Sequence, residues 1–244
     1  MTQLYTKWAQ VYHRVYDSIF DYEKDFRSFK RILDQNKCKS LLELGCGGGR
    51  LAHYFISAGY HYAGLDRSKQ MIAIARQENP GAKFIQADMR QFSVRAKFDA
   101  ALVAGRSFTY MTSNQDVLAA LSSIHKALRP GGILIFDNFD ARVIFRSFQK
   151  RPTEDIRLNG TRFVRRSRNS PNLQIGWTWN WDAIYEITDG VRKQSFRDRA
   201  ILRAFTPDEL RLFLTLAGFE SRRISRQGAV ILVVAQKSPQ PARV

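Results

Sequence analysis

Glu43 stands two residues before a run of glycines, Gly45, Gly47, Gly48 and Gly49, with Cys46 among them and Arg50-Leu51 after. An acid so close to a glycine-rich turn suits a ligand with a cationic amine, because glycine permits φ > 0 and lets a ligand approach the backbone. A phosphate-cradling loop would place Lys-Ser or Lys-Thr where Arg50-Leu51 stands, and the dinucleotide fingerprint would set its third glycine one position later than Gly49. Both readings fail on spacing. Two further acids recur downstream. Asp66 follows Tyr62-Ala63-Gly64-Leu65 and is suited to accept two hydrogen bonds from a ribose diol. Asp88-Met89 follows Lys83-Phe84-Ile85-Gln86-Ala87 and sets an acceptor beside a soft apolar side chain, a pair able to read an adenine amino group and cover its ring.

These acids need a scaffold that brings them to one place, and the apolar periodicity supplies it. Residues 41–44 read as a strand and 51–58 as a helix; 62–66 read as a strand and 68–77 as a helix, with Ser68 as its cap and Asn79-Pro80-Gly81 as its stop. Residues 98–104 form a further buried strand, entering the loop Gly105-Arg106-Ser107-Phe108-Thr109-Tyr110, and 116–128 a helix closed by Arg129-Pro130-Gly131-Gly132. A strand over 133–136 then ends in Asp137-Asn138. This alternation predicts an α/β, doubly wound sheet whose ligands bind outside the carboxyl ends of its strands. That end carries Ala104, Arg106, Ser107, Tyr110 and Asn138 as well as the acids.

Glu43-Leu-Gly45-Cys-Gly47-Gly-Gly49, Gly64-Leu-Asp66, Ala87-Asp88-Met89, Phe98-Asp99 and Leu128-Arg-Pro130-Gly131-Gly132, in that order, resemble the class I S-adenosylmethionine-dependent methyltransferases. The resemblance implies a Rossmann-like seven-stranded sheet, S-adenosylmethionine as cofactor and S-adenosylhomocysteine as product. Carried over by position, Glu43 and the backbone of Gly45, Cys46, Gly47 and Gly49 face the methionine moiety, Asp66 with Arg67 the ribose, Asp88 with Met89 the adenine, and Ala104 the rim of the same site. The loop of Arg106 and Tyr110 borders the acceptor in related enzymes, so an arginine there suits a carboxylate or phosphate.

Upstream, residues 2–34 carry Tyr5, Trp8, Tyr12, Tyr16, Phe20, Tyr22, Phe26 and Phe29, and from Tyr12 through Tyr16 to Ile19, then Tyr22 or Phe26 and Phe29, the apolar positions recur at helical spacing. The segment resembles the N-terminal helices that many small-molecule methyltransferases fold over the cofactor. Tyr12 and Tyr22 are its candidates for touching ligand, and His13 is the histidine best placed to act as a base.

Downstream of Phe139 the α/β rhythm stops. Trp177, Trp179, Trp181, Ala183, Tyr185 and Ile187 alternate with polar residues, Asn159-Gly160 and Asp189-Gly190 are hairpin turn pairs, and Ser170-Pro171-Asn172 offers another reversal. Three antiparallel strands are expected, over 161–169, 173–188 and 191–205. Such an insert resembles the lid of antibiotic-sugar and glycine-type N-methyltransferases, which shapes an acceptor pocket and often a dimer contact. Trp179 and Arg203 are its candidate acceptor residues. Where those enzymes tend to carry a histidine in the third insert strand, this chain has Ala200. Residues 206–217 then read as a helix behind Thr206-Pro207-Asp208-Glu209, and 219–225 with 229–236 as a closing hairpin.

The expected organisation is a helical cap over 1–34, a cofactor-binding core over 35–140, the β insert over 141–205, the closing helix and hairpin over 206–238, and a tail over 239–244. At 244 residues, 44% of them hydrophobic, the chain can fill a core. The two cysteines, Cys38 and Cys46, form no metal-spaced cluster and fit reduced thiols, and neither an export signal nor a bilayer-length apolar run is visible. A cytoplasmic enzyme without a metal is the expectation. The formal charge of +17 is uneven, with 19 basic and 13 acidic residues over 1–140 against 20 and 9 over 141–244, 17 of those 20 being arginine. Arginine forks onto phosphates and carboxylates, so an anionic acceptor or an RNA would suit this end of the chain. The sequence lacks an appended RNA-binding module and the Asn-Pro-Pro-Tyr type of motif after the fourth strand. The expected function is therefore methyl transfer to a small-molecule amine or acidic hydroxyl, with an RNA methyltransferase and a non-catalytic cofactor binder as alternatives, and with a homodimer through the insert as a further expectation.

Overall fold

The computed structural model describes residues 2–17, 20–158 and 160–238. Ile19, Asn159 and the expected tail over 239–244 lie outside the described residues. After a short 3-10 turn (Gln3–Tyr5), two helices, α1 (Ala9–Asp17) and α2 (Tyr22–Gln35), precede the core. Asp21 caps α2 by accepting from the amide of Lys24.

The core alternates β1 (Ser40–Leu44), α3 (Arg50–Ser57), β2 (His61–Asp66), α4 (Lys69–Glu78), β3 (Lys83–Gln86), β4 (Phe98–Val103), α5 (Asn114–Ala127) and β5 (Leu128–Phe139). These strands are parallel, and the sheet is completed by the antiparallel pair β10 (Phe219–Gln227) and β11 (Val230–Lys237), in the order β10-β11-β5-β4-β1-β2-β3. Leu41, Leu42, Leu44, Ala100, Ala101 and Leu102 are fully buried because helices cover both faces of the central strands. Each buried leucine there contributes roughly 1.5–3 kcal/mol. Strand order reverses between β1 and β4, so the loops after those two strands part and leave a crevice. Ser68 caps α4 through the amide of Met71, as its position predicts, and α7 (Pro207–Leu216) opens on a capping box between Thr206 and Glu209.

Beyond β5 lie a short helix, α6 (Ala141–Ile144), and a second sheet of four antiparallel strands rather than the expected three: β6 (Thr153–Leu158), β7 (Thr161–Pro171), β8 (Thr178–Asp189) and β9 (Arg192–Arg203). The additional strand is a short edge strand in which half-buried and exposed positions alternate, with Ile156 and Leu158 its only apolar residues. The reversal expected at Ser170-Pro171-Asn172 comes later, because β7 runs on through Pro171 and Trp177 precedes β8. On the inner face of this sheet Phe163, Ala183, Tyr185, Ile187 and Phe196 meet Leu4, Val15 and Tyr16 of the N-terminal segment. Trp8 stacks on Phe196 with ring centroids 4.6 Å apart, and the amide of Leu4 donates to Asp198 Oδ2 at 2.9 Å. The N-terminal segment is thereby wedged between the two sheets.

The arginines of the second sheet are largely matched from within. Arg162 pairs with Asp155 at 2.5 Å, Arg166 with Glu186 at 2.6 Å, Arg165 with Glu154, and Arg197 and Arg199 with Asp182. Exposed pairs of this kind contribute roughly 0–1 kcal/mol each, so their chief effect is to neutralise the surface locally.

Candidate functional site

A cavity of about 1130 Å³ opens at the carboxyl ends of the parallel strands and is roofed by the N-terminal segment and the second sheet. Its floor is the turn after β1. Gly45 has φ +74°, and a Cβ there would stand 2.9 Å from the Ser107 side chain, so only glycine fits; Gly47, at φ +53°, faces open space. Gly48 also lines the cavity, and a Cβ on it would run into the imidazole of His13. Gly49 does not line it. It caps α3 in a left-handed conformation, accepts a hydrogen bond from Asn79 Nδ2 at 3.0 Å, and has no room for a side chain against Asn79 and Ala75. Its expected ligand role is corrected to a packing role.

Three carboxylates and a thioether surround this turn. Glu43, buried at the end of β1, accepts a hydrogen bond from the Tyr62 hydroxyl at 2.6 Å, and burial pushes its pKa up to about 7 despite that bond. Asp66 accepts from the amides of Gly47 at 3.0 Å and Ser68 at 2.7 Å; burial raises its pKa and these bonds oppose the rise. Asp88 is gripped by both sides of the Arg90 guanidinium, at 3.0 and 2.7 Å, with the half-exposed Arg67 at 3.4 Å, and hydrogen bonding from Arg90 holds its carboxyl below the usual range. The Met89 methyl lies 3.7 Å from where a Gly45 Cβ would be. Cys46 is buried, its thiol pushed up by desolvation, and with Ala104 it completes this wall.

S-adenosylmethionine fits these residues. The space over Gly47 is an open cradle, the acid at the end of β1 matches a cationic amine, the acid at the end of β2 keeps lone pairs for a diol, and Asp88 with Met89 stands where a flat amino-bearing ring would end.

The opposite wall is aromatic. Tyr12, Tyr16, Phe20 and Tyr22 descend from the N-terminal segment, Tyr110 from the loop after β4, and Trp179, Trp181 and Tyr185 from β8. Tyr110 donates to Tyr5 at 3.1 Å, Tyr12 stacks on Tyr16 at 4.3 Å, and Trp179 packs edge-on to Phe139 at 6.0 Å. Burial pushes the hydroxyls of Tyr5, Tyr12, Tyr16, Tyr110 and Tyr185 above the ordinary phenol range. Arg106, at φ +60°, lies over Phe20 at 5.4 Å and Phe139 at 5.7 Å, and its amide donates to Asp137 Oδ1 at 2.7 Å. Ala200 of β9 lines the cavity.

Two expected acceptor residues lie elsewhere. Asn138 is fully buried and turned away, its Oδ1 accepting from the amide of Phe139 at 2.6 Å, because alternation along β5 sends Asp137 and Phe139 into the cavity instead. Arg203 is 2% exposed and reaches Glu209 at 3.4 Å over the rings of Phe205 and Phe213, at 4.6 and 5.4 Å, so it joins β9 to α7 rather than meeting a ligand. Asp25, Asp137 and Arg165 line the cavity without having been singled out as site residues. Only the phase of β5 relative to the cavity would have revealed Asp137.

Comparison with known proteins agrees with this geometry. A model of the methyltransferase domain matches residues 41–132. A relative from Bacillus subtilis (strain 168), named methyltransferase YqeM, is 26% identical over 194 residues, 76% of this chain and 75% of its own. The dTDP-3-amino-3,4,6-trideoxy-alpha-D-glucopyranose N,N-dimethyltransferase of Streptomyces venezuelae is 33% identical over 101 residues, 41% of this chain and 43% of that protein. In fold, the chain is similar to SAM-bound CalS10, an amino pentose methyltransferase from Micromonospora echinaspora, with a TM-score of 0.81 and 23% identity over 93% of this chain and 97% of that one. Neither an RNA methyltransferase nor a non-catalytic binder finds support among these relatives. Among the described residues no helix is long and apolar enough to cross a membrane, and no cluster of potential metal ligands is present. The glycine turn and the acids that close β1, β2 and β3 all lie inside the segment that matches the methyltransferase domain, residues 41–132, and the chain shares its fold with S-adenosylmethionine-dependent methyltransferases.

Proposed function

We propose that the chain methylates the nitrogen of a small-molecule amine. The observation that carries this reading is the state of the groups around the acceptor side of the cavity. A hydroxyl acceptor needs a base or an acidic pKa of its own, whereas a neutral amine attacks through its lone pair. The tyrosines here are raised away from neutrality by burial, the ring of His13 is packed on Gly48 with Nε2 3.8 Å from Glu78, and the Asp137 carboxylate, lifted by burial to about 6, is too weak a base for an ordinary hydroxyl. The related dimethyltransferase that acts on an amino sugar supports the same choice.

When bound, S-adenosylmethionine supplies a methyl carbon made electrophilic by its sulfonium. Glu43, Asp66, Asp88 and the Gly45 to Gly48 backbone hold it. The chain's task is then to orient the nitrogen and exclude water, which the aromatic wall and the N-terminal segment do. Orientation of this kind is worth roughly 7–11 kcal/mol. The acceptor's charge follows from the cavity rather than from the composition. Of the cavity arginines, Arg50 pairs with Glu78, Arg67 and Arg90 with Asp88, Arg165 with Glu154 and Arg199 with Asp182, while Arg106 lies over Phe20 and Phe139, so most of the basic excess is matched by carboxylates of the chain itself.

Methyl incorporation from labelled S-adenosylmethionine into panels of amines, phenols, carboxylic acids and RNA tests the reading. Label confined to amines is the expected outcome, and label confined to oxygen acceptors or to RNA overturns it. Sedimentation of the same sample reads whether the outer face of the second sheet meets another copy.

A further inference from the structure

Five carboxylates line the cavity: Asp25, Glu43, Asp66, Asp88 and Asp137. Three are occupied on the cofactor side, Glu43 by the Tyr62 hydroxyl, Asp66 by two backbone amides and Asp88 by Arg90. Asp137 is different. It ends the parallel part of β5, beside β4, and its carboxylate accepts a hydrogen bond from the amide of Arg106 rather than from a side chain. Arg106 adjoins Ser107, whose side chain abuts Gly45 of the cofactor turn, so the acid stands one loop away from the methionine end of the site. The arginine's own side chain is taken up by the faces of Phe20 and Phe139.

We propose that Asp137 receives the acceptor's amine, its carboxylate pairing with the ammonium form and then taking one proton from it so that the nitrogen lone pair is exposed. This rests on the N-methylation reading. In the step an N–H bond breaks and its electron pair stays on nitrogen, while the proton forms an O–H bond on the carboxylate, so that a cation and an anion become two neutral groups. Oδ1 is committed to Arg106, which leaves Oδ2 for the ammonium. Burial lifts the Asp137 pKa to about 6, opposed by Arg106, which brings the carboxylate nearer to neutrality as a proton acceptor. The charged groups that face it are Arg106 from the loop after β4 and Asp25 from α2.

The test uses the full chain saturated with S-adenosylhomocysteine and two probes of similar shape, benzylamine and benzyl alcohol, titrated by calorimetry from pH 5 to 8. The wild type is expected to prefer benzylamine by about tenfold at pH 7.5, with the preference fading below about pH 6 as Asp137 protonates. Asp137→Asn should abolish the preference at every pH and keep S-adenosylhomocysteine affinity within about twofold, while Asp25→Asn keeps most of it. A preference that survives in Asp137→Asn, or that is lost only in Asp25→Asn, overturns the inference. If amines are methylated while that preference survives, N-methylation stands and this inference alone falls; if no amine is methylated, both fall. Should Asp137→Asn not fold, the wild type decides, because a preference flat from pH 5 to 8 contradicts a titrating carboxylate.

Discussion

Along β1, β2 and β3 the cavity wall is made of backbone and of carboxylates tied down by near neighbours, whereas the facing wall is made of rings and charges gathered from remote segments. Asp88 binds Arg90 two positions away, and Glu43 and Asp66 bind partners 19 positions away. On the other side, Asp137 meets Arg106 across 31 positions, Tyr110 meets Tyr5 across 105, and Arg165 meets Tyr16 across 149. One wall is therefore a local property of strand–turn–helix units, built for a fixed ligand. The other is a property of tertiary packing and can change its ligand without disturbing the first.

The largest expected effect on cofactor binding, which would break this contrast, is at Gly45. Gly45→Val imposes a side chain at φ +74° against Ser107, and affinity for S-adenosylhomocysteine should fall by about a hundredfold, roughly 2.7 kcal/mol, by calorimetry. Unaltered affinity would mean that the turn is not the cofactor floor. Arg203→Met should act on stability alone. Loss of the buried cation beside Glu209 should cost about 3 kcal/mol in urea unfolding and leave cofactor affinity as it was. A variant of normal stability that cannot bind acceptor would return Arg203 to the site. Asp66→Ala should weaken cofactor binding by about 1.5–3 kcal/mol, and intact affinity would displace the ribose from the end of β2.

A further effect is in the pH dependence of stability. The Glu43 pKa in the folded chain, about 7, lies above the value near 4.3 expected when unfolded, so the folded state holds the proton more tightly. Its contribution is complete below about pH 4 and is lost as pH rises through about 7, with a slope of up to about 1.4 kcal/mol per pH unit. Glu43→Gln should flatten that part of the profile. A slope as steep in the variant as in the wild type would assign it to Asp66 and Asp137, whose pKa values are also raised.

The same contrast explains what was legible in the sequence. The glycine turn, the acids at the ends of β1, β2 and β3, and the Ser68 and Thr206 caps were readable because each is decided by residues a few positions apart. Asn138 and Arg203 were misjudged because strand alternation gives the period but not which phase faces the cavity, and a slip of one residue exchanges Asn138 for Asp137. Strand β6 is hard to read because its inward positions, Glu154, Ile156 and Leu158, offer only two apolar residues at an edge. Gly49 shared a motif with true cavity residues, and only the approach of Asn79 distinguishes it.

The N-terminal segment touches both walls. His13 packs on Gly48 and Ser68 donates to the carbonyl of Tyr5, while Leu4, Trp8 and Tyr16 hold Asp198, Phe196 and Arg165 of the second sheet. A substitution that displaced this segment would therefore take contacts from both walls at once.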